Sequence, residues 1–517
     1  MATLATVILL QVAFVNVWPG FPSPSERGRA YQALAVVHRG ALAIDEELAC
    51  FGAMEDVAGH GGRLYPNKAP GLLPILVPAA LLAHALAGAS PDRELALTLA
   101  LGRLLAASLP LLLTAGLLHR SCRAWPGGRR LAIVATVLAS PLLTASLLLF
   151  SHAFCALLLL AASLLLRQPP RPLAPALAGF LLAWSFAAEY PTVVPGVVLL
   201  LCALPKLGAR SACAAVLGGV PPLLALAAYN AACFGSPMAL SSGHEADPAF
   251  AHLAASGVFG VGWPTPAGLA ELLASPARGL LVWVPLLLLV AVTPMLPRQE
   301  RRMVLPGLAA LAASIVMLAG YPNRHGGWFA GPRYLLHALP LAVPAIAAVL
   351  HRLRENRAGA ALSGAAVLWS LAATWLCLVS FPFPPEDFPL PWVTLAPQLL
   401  CDGIFAPSWL PASVAPWLFA GLWVAGIVIV LAAVPRRARA IAAFLAVLAL
   451  AGVSPMRAPD SFKAQLEKAV IHDVYLGGRG DLEALAARAN GPGERRLVAS
   501  WLARREAQLP LGPAGLP

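Results

Sequence analysis

Long apolar runs recur from one end of this sequence to the other, and they constrain its fold more than any single motif. Stretches near 3–19, 71–88, 95–118, 131–149, 152–166, 173–188, 191–205, 212–232, 279–297, 303–320, 334–350, 358–380, 411–434 and 440–454 consist largely of Leu, Ala, Val, Phe and Gly. Most approach the roughly 20 residues with which an α-helix crosses a bilayer. Of the 517 residues only 12% are charged and 59% are hydrophobic, so too little polar surface exists to cover one water-soluble core. A soluble enzyme, a fibrous protein and a disordered chain are excluded. The expected fold class is an all-α polytopic membrane protein.

Charge placement refines the topology. The formal net charge is +12, but the basic residues form short clusters between apolar runs, and no nucleic-acid partner is expected from such a pattern. The clusters are Arg120/Arg123/Arg129/Arg130, Arg167/Arg171, Lys206/Arg210, Arg298/Arg301/Arg302, Arg352/Arg354/Arg357 and Arg436/Arg437/Arg439. The positive-inside rule places all of them in the cytoplasm. From Arg120 onward every second connection is basic, so 95–118 runs from outside to inside. With 1–19 starting in the cytoplasm, the run 71–88, which holds Pro74 and Pro78, cannot cross; it is expected to re-enter or to lie on the outer surface. That leaves about 13 transmembrane helices, with the amino terminus cytoplasmic. Residues 1–19 lack a basic leader region and a small-residue cleavage motif, and read as a retained span. Residues 1–454 then form the membrane domain, with external loops 20–94 and 233–278, and 455–517 form a small, polar, helical, external tail. The eight cysteines contain no CxxC pair and define neither a metal site nor a disulfide framework.

Ionisable side chains are costly near a bilayer, so their positions carry information. The first loop concentrates them: "SERGRAYQALAVVHRGALAID" is followed by "EDVAGHGGRLYPNKAPG". Ala33, Leu34, Val36 and Val37 lie on helical spacing, which suits an interfacial helix directly after the first span. Glu26 falls at its start, where the helix dipole favours a carboxylate, and a helix cap is the alternative role there. Asp45, Glu46 and Glu47 read as a solvated turn. Lys68 and Arg333 have headgroup contact as an alternative. Glu189 follows an apolar run directly and needs a partner, an external Arg being the simplest. "GHGG" and "GGRG" follow no strand of a nucleotide-binding fold, and no P-loop is present.

The ordered set Glu26, Arg29, Tyr31, Gly40, Tyr65, Lys68 and Pro70 resembles the first loop of the GT-C superfamily of glycosyltransferases, closest to the aminoarabinose transferases and protein mannosyltransferases. Later pieces are similar to a bacterial branch of the same superfamily: "AAEYP" (Glu189, Tyr190), "YNAACFGSP" (Tyr229, Asn230, Gly235), "SPARGLLVWVP" (Ser275, Arg278, Gly279) and "RHGGWFAGPRYLLHALP" (His325, Gly326, Gly327, Gly331, Arg333, Tyr334). The resemblance covers roughly 1–350 and implies a GT-C-like bundle in a bacterial inner membrane. The implied reaction moves a sugar from a polyprenyl-phosphate-linked donor to a lipid, glycan or protein acceptor at the external face, by a single inverting displacement.

Such a transfer needs a base for the acceptor hydroxyl and cations for the leaving phosphate. Glu26 is the expected base, with Asp56 as its competitor. Lys68, Arg278 and Arg333 are expected to contact phosphate, and Tyr65, His325 and Tyr334 to complete the donor site. Arg29, Tyr31, His152 and Glu189 are expected in support; Trp328 and Phe329 are placed to stack on a sugar or to anchor at the headgroups. The family's acidic pair is reduced here to Ser25-Glu26, and Ser151-His152 stands where relatives supply an Asp. Fewer hard oxygen ligands are therefore available for a divalent ion: a metal is left open and no cofactor is assigned. A flippase or transporter, a polymerase or ligase of lipid-linked glycans, and a noncatalytic scaffold of the same fold are the competing readings. The sugar, the acceptor and the oligomeric state are not legible in the sequence.

Overall fold

A computed structural model describes residues 2–14, 23–167, 173–248, 251–252, 257, 260–405, 410–411, 413–475, 480–489 and 491–508. Residues 15–19 of the first apolar run and Arg171 lie outside the described residues. The chain is overwhelmingly α-helical. Six helices are long and apolar enough to cross a membrane by length and composition: Pro70–Ala87, Pro91–Ser121, Ala209–Phe234, Arg298–Ala319, Arg357–Ser380 and Ala415–Ala433. Five shorter apolar helices accompany them: His152–Arg167, Ala174–Ala188, Tyr190–Lys206, Pro285–Met295 and Leu339–Leu353. The protein is an integral membrane protein. Its helices turn large apolar side chains outward, with Leu224 64%, Val216 60%, Val424 61% and Trp417 79% exposed, a surface that suits lipid and would aggregate in water.

Several expectations change. The run 71–88 forms one continuous apolar helix, long and apolar enough to cross a membrane by length and composition. Pro74 sits in its first turn, where no helical N–H is lost, and only Pro78 lies inside it. It packs antiparallel on Pro91–Arg103 and against the helix Pro24–Arg39. An all-α chain is also not quite what forms. The last two residues of "GHGG", Gly61 and Gly62, are the turn of a two-residue hairpin joining β1 (Val57–His60) and β2 (Arg63–Pro66). Gly61 and Gly62 have φ of 57° and 75°, the left-handed pair that this hairpin type requires.

The helix expected after the first run is present as Pro24–Arg39, closed by Gly40 at φ 64°, but residues 25–35 are buried within the protein rather than lying on its surface. It buries Ala30, Ala33 and Leu34 against Leu72, Leu76, Ala80 and Leu99. Asp45–Phe51 is a short helix rather than a turn. Glu47 of that helix is buried and accepts from both terminal nitrogens of Arg39 at 2.8 and 2.7 Å.

Four of the six basic connectors meet at one end of the bundle. Arg352 pairs with Glu300 at 2.8 Å, Arg357 donates to the Arg437 carbonyl at 2.9 Å, and the Gly127 amide donates to His351 at 3.2 Å. Helices His152–Arg167 and Leu339–Leu353 run towards that end, whereas Ala174–Ala188 runs away from it and finishes at Glu189. The polar residues that begin or follow these helices therefore gather at the opposite end.

Close backbone contact holds the wall behind them. A Cβ at Gly179 would overlap the carbonyl of Ala215, and one at Gly218 the carbonyl of Ala176. The helices Ala174–Ala188 and Ala209–Phe234 thus touch through small residues, as membrane helices commonly do. Gly179→Leu is expected to abolish recovery of monodisperse protein from detergent, read by size-exclusion chromatography, whereas Gly116→Leu, where an added Cβ meets nothing within 4 Å, leaves recovery unchanged.

The carboxyl-terminal helices Phe462–Val470, Asp481–Arg488 and Pro492–Gln508 form their own small apolar cluster. Lys463–Asp387 at 2.8 Å and Lys468–Asp402 at 3.2 Å dock them onto the loop after Ser380.

Candidate functional site

The innermost feature is an ion pair between distant parts of the sequence. Arg103 Nε donates to Glu26 Oε1 at 2.8 Å, and both side chains are 0% exposed. The same carboxylate accepts from the Leu149 amide at 2.6 Å and the Ser23 amide at 3.1 Å. Glu26 therefore caps its helix and neutralises a buried guanidinium, and its carboxylate has no exposed surface for an acceptor. This corrects the expectation that Glu26 is the approachable base. Three donors from three segments already hold it.

One turn further, Arg29 donates to Ser25 Oγ at 3.0 Å, the Leu149 carbonyl at 3.2 Å and Ser151 Oγ at 3.2 Å. Its guanidinium lies 3.7 Å from Glu189 Oε2, and Ser151 donates to that same oxygen. Glu189 has thus found the Arg it needs. Burial raises its carboxyl pKa, but His152, Arg29, Ser151 and Arg333 together outweigh burial and hold it below the usual range.

The hairpin brings in the next layer. Lys68 Nζ lies 2.9 Å from Asp56 Oδ2, each side chain 21% exposed. The Asn67 amide donates to the Asp56 carbonyl at 3.2 Å, which fixes the two ends of the hairpin together. Burial pushes the Asp56 carboxyl upwards, yet Lys68, Arg333 and Asn67 outweigh it and keep the group ionised below the usual carboxylate range. Asn67 also donates to both oxygens of Glu245 at 3.0 and 2.9 Å. Burial drives the Glu245 carboxyl up to about 7, opposed by Asn67 and Lys68 and reinforced by Asp56 and Asp247.

Arg333 completes the cluster. Its guanidinium carbon sits 5.2 Å from the ring centroid of Phe150 and 5.1 Å from that of Tyr334, a cation–π cradle. Its Nη2 donates to the Tyr334 hydroxyl at 3.4 Å, while its buried Nε has no hydrogen-bond partner among the described residues. Burial lowers its pKa, but Tyr334, Asp56 and Glu189 raise it further, so it carries full charge. Gly326, at φ 75°, lets the backbone pass directly over Arg333 and Tyr334, where a Cβ would lie 2.9 and 2.8 Å from their atoms.

The structure thus brings Arg29, Asp56, Lys68, His152, Glu189, Arg333 and Tyr334 into one neighbourhood. His152 is buried, its ring 6.3 Å from Tyr334 and 6.4 Å from His337. Other expected residues serve elsewhere. Arg278 is 1% exposed and donates to the carbonyls of Gly327 and Pro384; it ties two loops together, which corrects its assignment to phosphate. Burial lowers its pKa to about 10. Tyr65 packs its ring 5.5 Å from Phe234 in a small apolar cluster, so it is a packing residue. His325 lies 2.7 Å from Glu271, which also binds Arg324. Tyr31 donates to the Phe51 carbonyl at 3.0 Å. Trp328, partly exposed, stacks on Trp501 of the last helix, while Phe329 is fully buried against Phe150, so the Phe329 ring is not open to a sugar. Sequence reasoning missed Arg103, Asn67 and Glu245, whose roles come from contacts 77, 178 and 178 residues away.

Fold and site together define a polytopic, helical membrane protein with a cluster of alternating charges at the end opposite its basic connectors. No protein-family model and no curated protein matches the sequence. Among solved structures, the chain is similar to ArnT from Cupriavidus metallidurans in the apo state, at 14% identity and a TM-score of 0.48 over 97% of this chain and 88% of that one. It is similar to the same protein bound to undecaprenyl phosphate at 14% identity and a TM-score of 0.47, with the same coverage. Arabinosyltransferase EmbB from Mycobacterium smegmatis follows at 15% identity and a TM-score of 0.41, over 86% of this chain and 40% of that one. Similarity at this level assigns no activity.

Proposed function

We propose that the protein is a GT-C-type glycosyltransferase of a bacterial inner membrane. It takes a sugar from a polyprenyl-phosphate carrier and passes it to an acceptor hydroxyl at the external face. The observation that carries this reading is the juxtaposition of Asp56 with Lys68 and with Arg333, delivered by separate segments to one partly exposed cluster. Asp56 is the base: it is ionised and partly exposed, with Oδ2 paired to Lys68. Arg333 and Lys68 receive the leaving phosphate, Arg333 as a guanidinium held fully charged by Tyr334, Asp56 and Glu189. Glu189, Arg29 and Ser151 hold the floor of the site, and Tyr334 and His152 flank it.

The displacement is a single inverting step. The acceptor oxygen attacks the anomeric carbon, its proton passes to Asp56, and the carbon–oxygen bond to the carrier phosphate breaks with both electrons leaving on the phosphate. No metal enters the assignment, because the carboxylates at hand are engaged by Lys68, Asn67, Ser151 and Arg29 rather than converging on one point. The thirteen-crossing topology belongs to this proposal. It sets the basic connectors in the cytoplasm and the charge cluster, at the other end of the bundle, outside.

The test is a membrane assay with a supplied polyprenyl-phosphate sugar carrying a radiolabel in the sugar. Release of unsubstituted polyprenyl phosphate together with labelled acceptor supports the enzyme; movement of the intact lipid between leaflets without bond cleavage overturns it in favour of a flippase.

Glu245 gives the reaction a pH dependence. Its carboxyl, raised to about 7, is largely neutral at pH 6 and ionised at pH 8. Ionisation adds negative charge beside Lys68 and Asp56, where an anionic donor must bind, so the donor KM is expected to rise from pH 6 to pH 8. Glu245→Gln is expected to flatten that rise, measured as donor KM across the range. The linkage has the same sign: a raised acid is fully accommodated below its unfolded value and costs stability as pH climbs through about 7.

A further inference from the structure

A second polar constellation lies apart from the charge cluster, on the outer shoulder of the first loop. His38 closes the helix Pro24–Arg39, His84 lies in the last turn of the helix Leu73–Ala87, and Glu94 opens the helix beginning at Pro91. Three separate helices thus deliver one donor each. His38 Nε2 is 2.8 Å and His84 Nδ1 2.9 Å from the same carboxylate oxygen, Glu94 Oε1. All three ligand atoms fall within 4.8 Å of one another. The imidazole rings meet edge to face at 5.3 Å between centroids. They border a cavity of about 460 Å³ whose other walls are Val37, Gly88, Ala89 and Pro91.

We propose that His38, His84 and Glu94 form a binding site for a divalent transition-metal ion of the zinc type. Two imidazoles and one carboxylate are a donor set that suits zinc, and imidazole disfavours magnesium and calcium, which prefer all-oxygen shells. In a tetrahedral zinc site the ligand atoms stand about 3.4 Å apart, from metal–ligand bonds of about 2.0–2.1 Å. The present nitrogen–oxygen separations need to open by only about half an ångström to reach that spacing. His84, 57% exposed, has the freedom to make that adjustment, while Glu94, 8% exposed, supplies the fixed point. In the bound state His38 Nε2 and His84 Nδ1 would offer their lone pairs to the ion, each imidazole neutral with its one proton on the other ring nitrogen. The fourth position faces the cavity and is open to water. The ion ties the end of the helix Pro24–Arg39, which also carries Glu26 and Arg29, to the hairpin of helices beneath it, and so acts as a staple one helix length from the charge cluster.

The site is tested on the full-length protein in detergent with any affinity tag removed, by equilibrium dialysis and calorimetric titration with ZnCl2, with Co2+ as a spectroscopic substitute. One equivalent of zinc is expected, with tetrahedral cobalt absorption, a higher thermal midpoint in zinc and no comparable effect of Mg2+. His84→Ala and Glu94→Gln are each expected to weaken zinc at least tenfold. The exposure of His84 means that His84→Ala keeps the metal-free thermal midpoint of the parent, so it carries the test should Glu94→Gln fold poorly. Absence of stoichiometric zinc in the parent protein, or undiminished zinc affinity in His84→Ala, overturns the proposal.

Discussion

Asp56→Asn is expected to lower the rate of sugar transfer by about 10²–10⁴-fold, the range that a positioned general base supplies. The substitution keeps the shape of the side chain and can still accept a hydrogen bond from Lys68, so the hairpin from Val57 to Pro66 is expected to keep its register. What is lost is proton affinity. The donor KM should stay within a few fold, because Arg333 and Lys68 remain and Lys68 is relieved of its counter-ion. The measurement is kcat and donor KM for the variant and the parent in the same lipid. A variant that transfers at the parental rate would remove Asp56 from the chemistry and leave Glu189, 15% exposed, as the next carboxylate to test.

A second large effect is expected on folding rather than on chemistry. Arg103 and Glu26 form a fully buried pair, and removing one partner from such a pair costs about 3–5 kcal/mol because the other charge is left without compensation. Glu26→Gln and Arg103→Met are each expected to lower the thermal midpoint in detergent and the yield of folded protein. Replacing both, as Glu26→Leu with Arg103→Met, is expected to recover much of the loss, since apolar substitutes remove the desolvation cost along with the attraction. The double variant also separates two roles for Glu26. If it regains stability and still transfers sugar, Glu26 is a structural anchor; if it regains stability and is inactive, Glu26 takes part in the reaction.

Much of the architecture is legible in the sequence because it follows from period and polarity. The helix after the first run announces itself through Ala33, Leu34, Val36 and Val37 and ends at Gly40, the residue that tolerates the left-handed conformation. The clusters at Arg298, Arg352 and Arg436 mark one end of the bundle, and Glu300, Arg352, Arg357 and Arg437 do interlock there. The isolated Glu189 correctly signals a need for a cation, found in Arg29. The hairpin is less visible, because "GHGG" also matches a weak phosphate-loop pattern, although Gly61 and Gly62 between Val57–His60 and Arg63–Pro66 are the ordinary signature of a tight turn. In the run 71–88 the prolines do not break the helix, because Pro74 sits in the first turn, where a helix accepts it.

The site is less legible in the sequence, for a physical reason. Whether a carboxylate is a base or an anchor depends on what surrounds it in space, and the partners of Glu26 lie at Arg103 and Leu149. Likewise Arg278 resembles a phosphate ligand in composition, but the carbonyls of Gly327 and Pro384 use its donors. Glu245 carries no local signal, because its companions Asn67 and Lys68 come from the other long loop.

The most direct test is cryo-electron microscopy of the full chain in a lipid nanodisc supplied with polyprenyl phosphate. The expected result is phosphate density within hydrogen-bond distance of Arg333 and Lys68, lost in Arg333→Ala. Phosphate held instead at the opposite end of the bundle, among Arg352, Arg357 and Arg437, would contradict a glycosyl-transfer site built around Asp56.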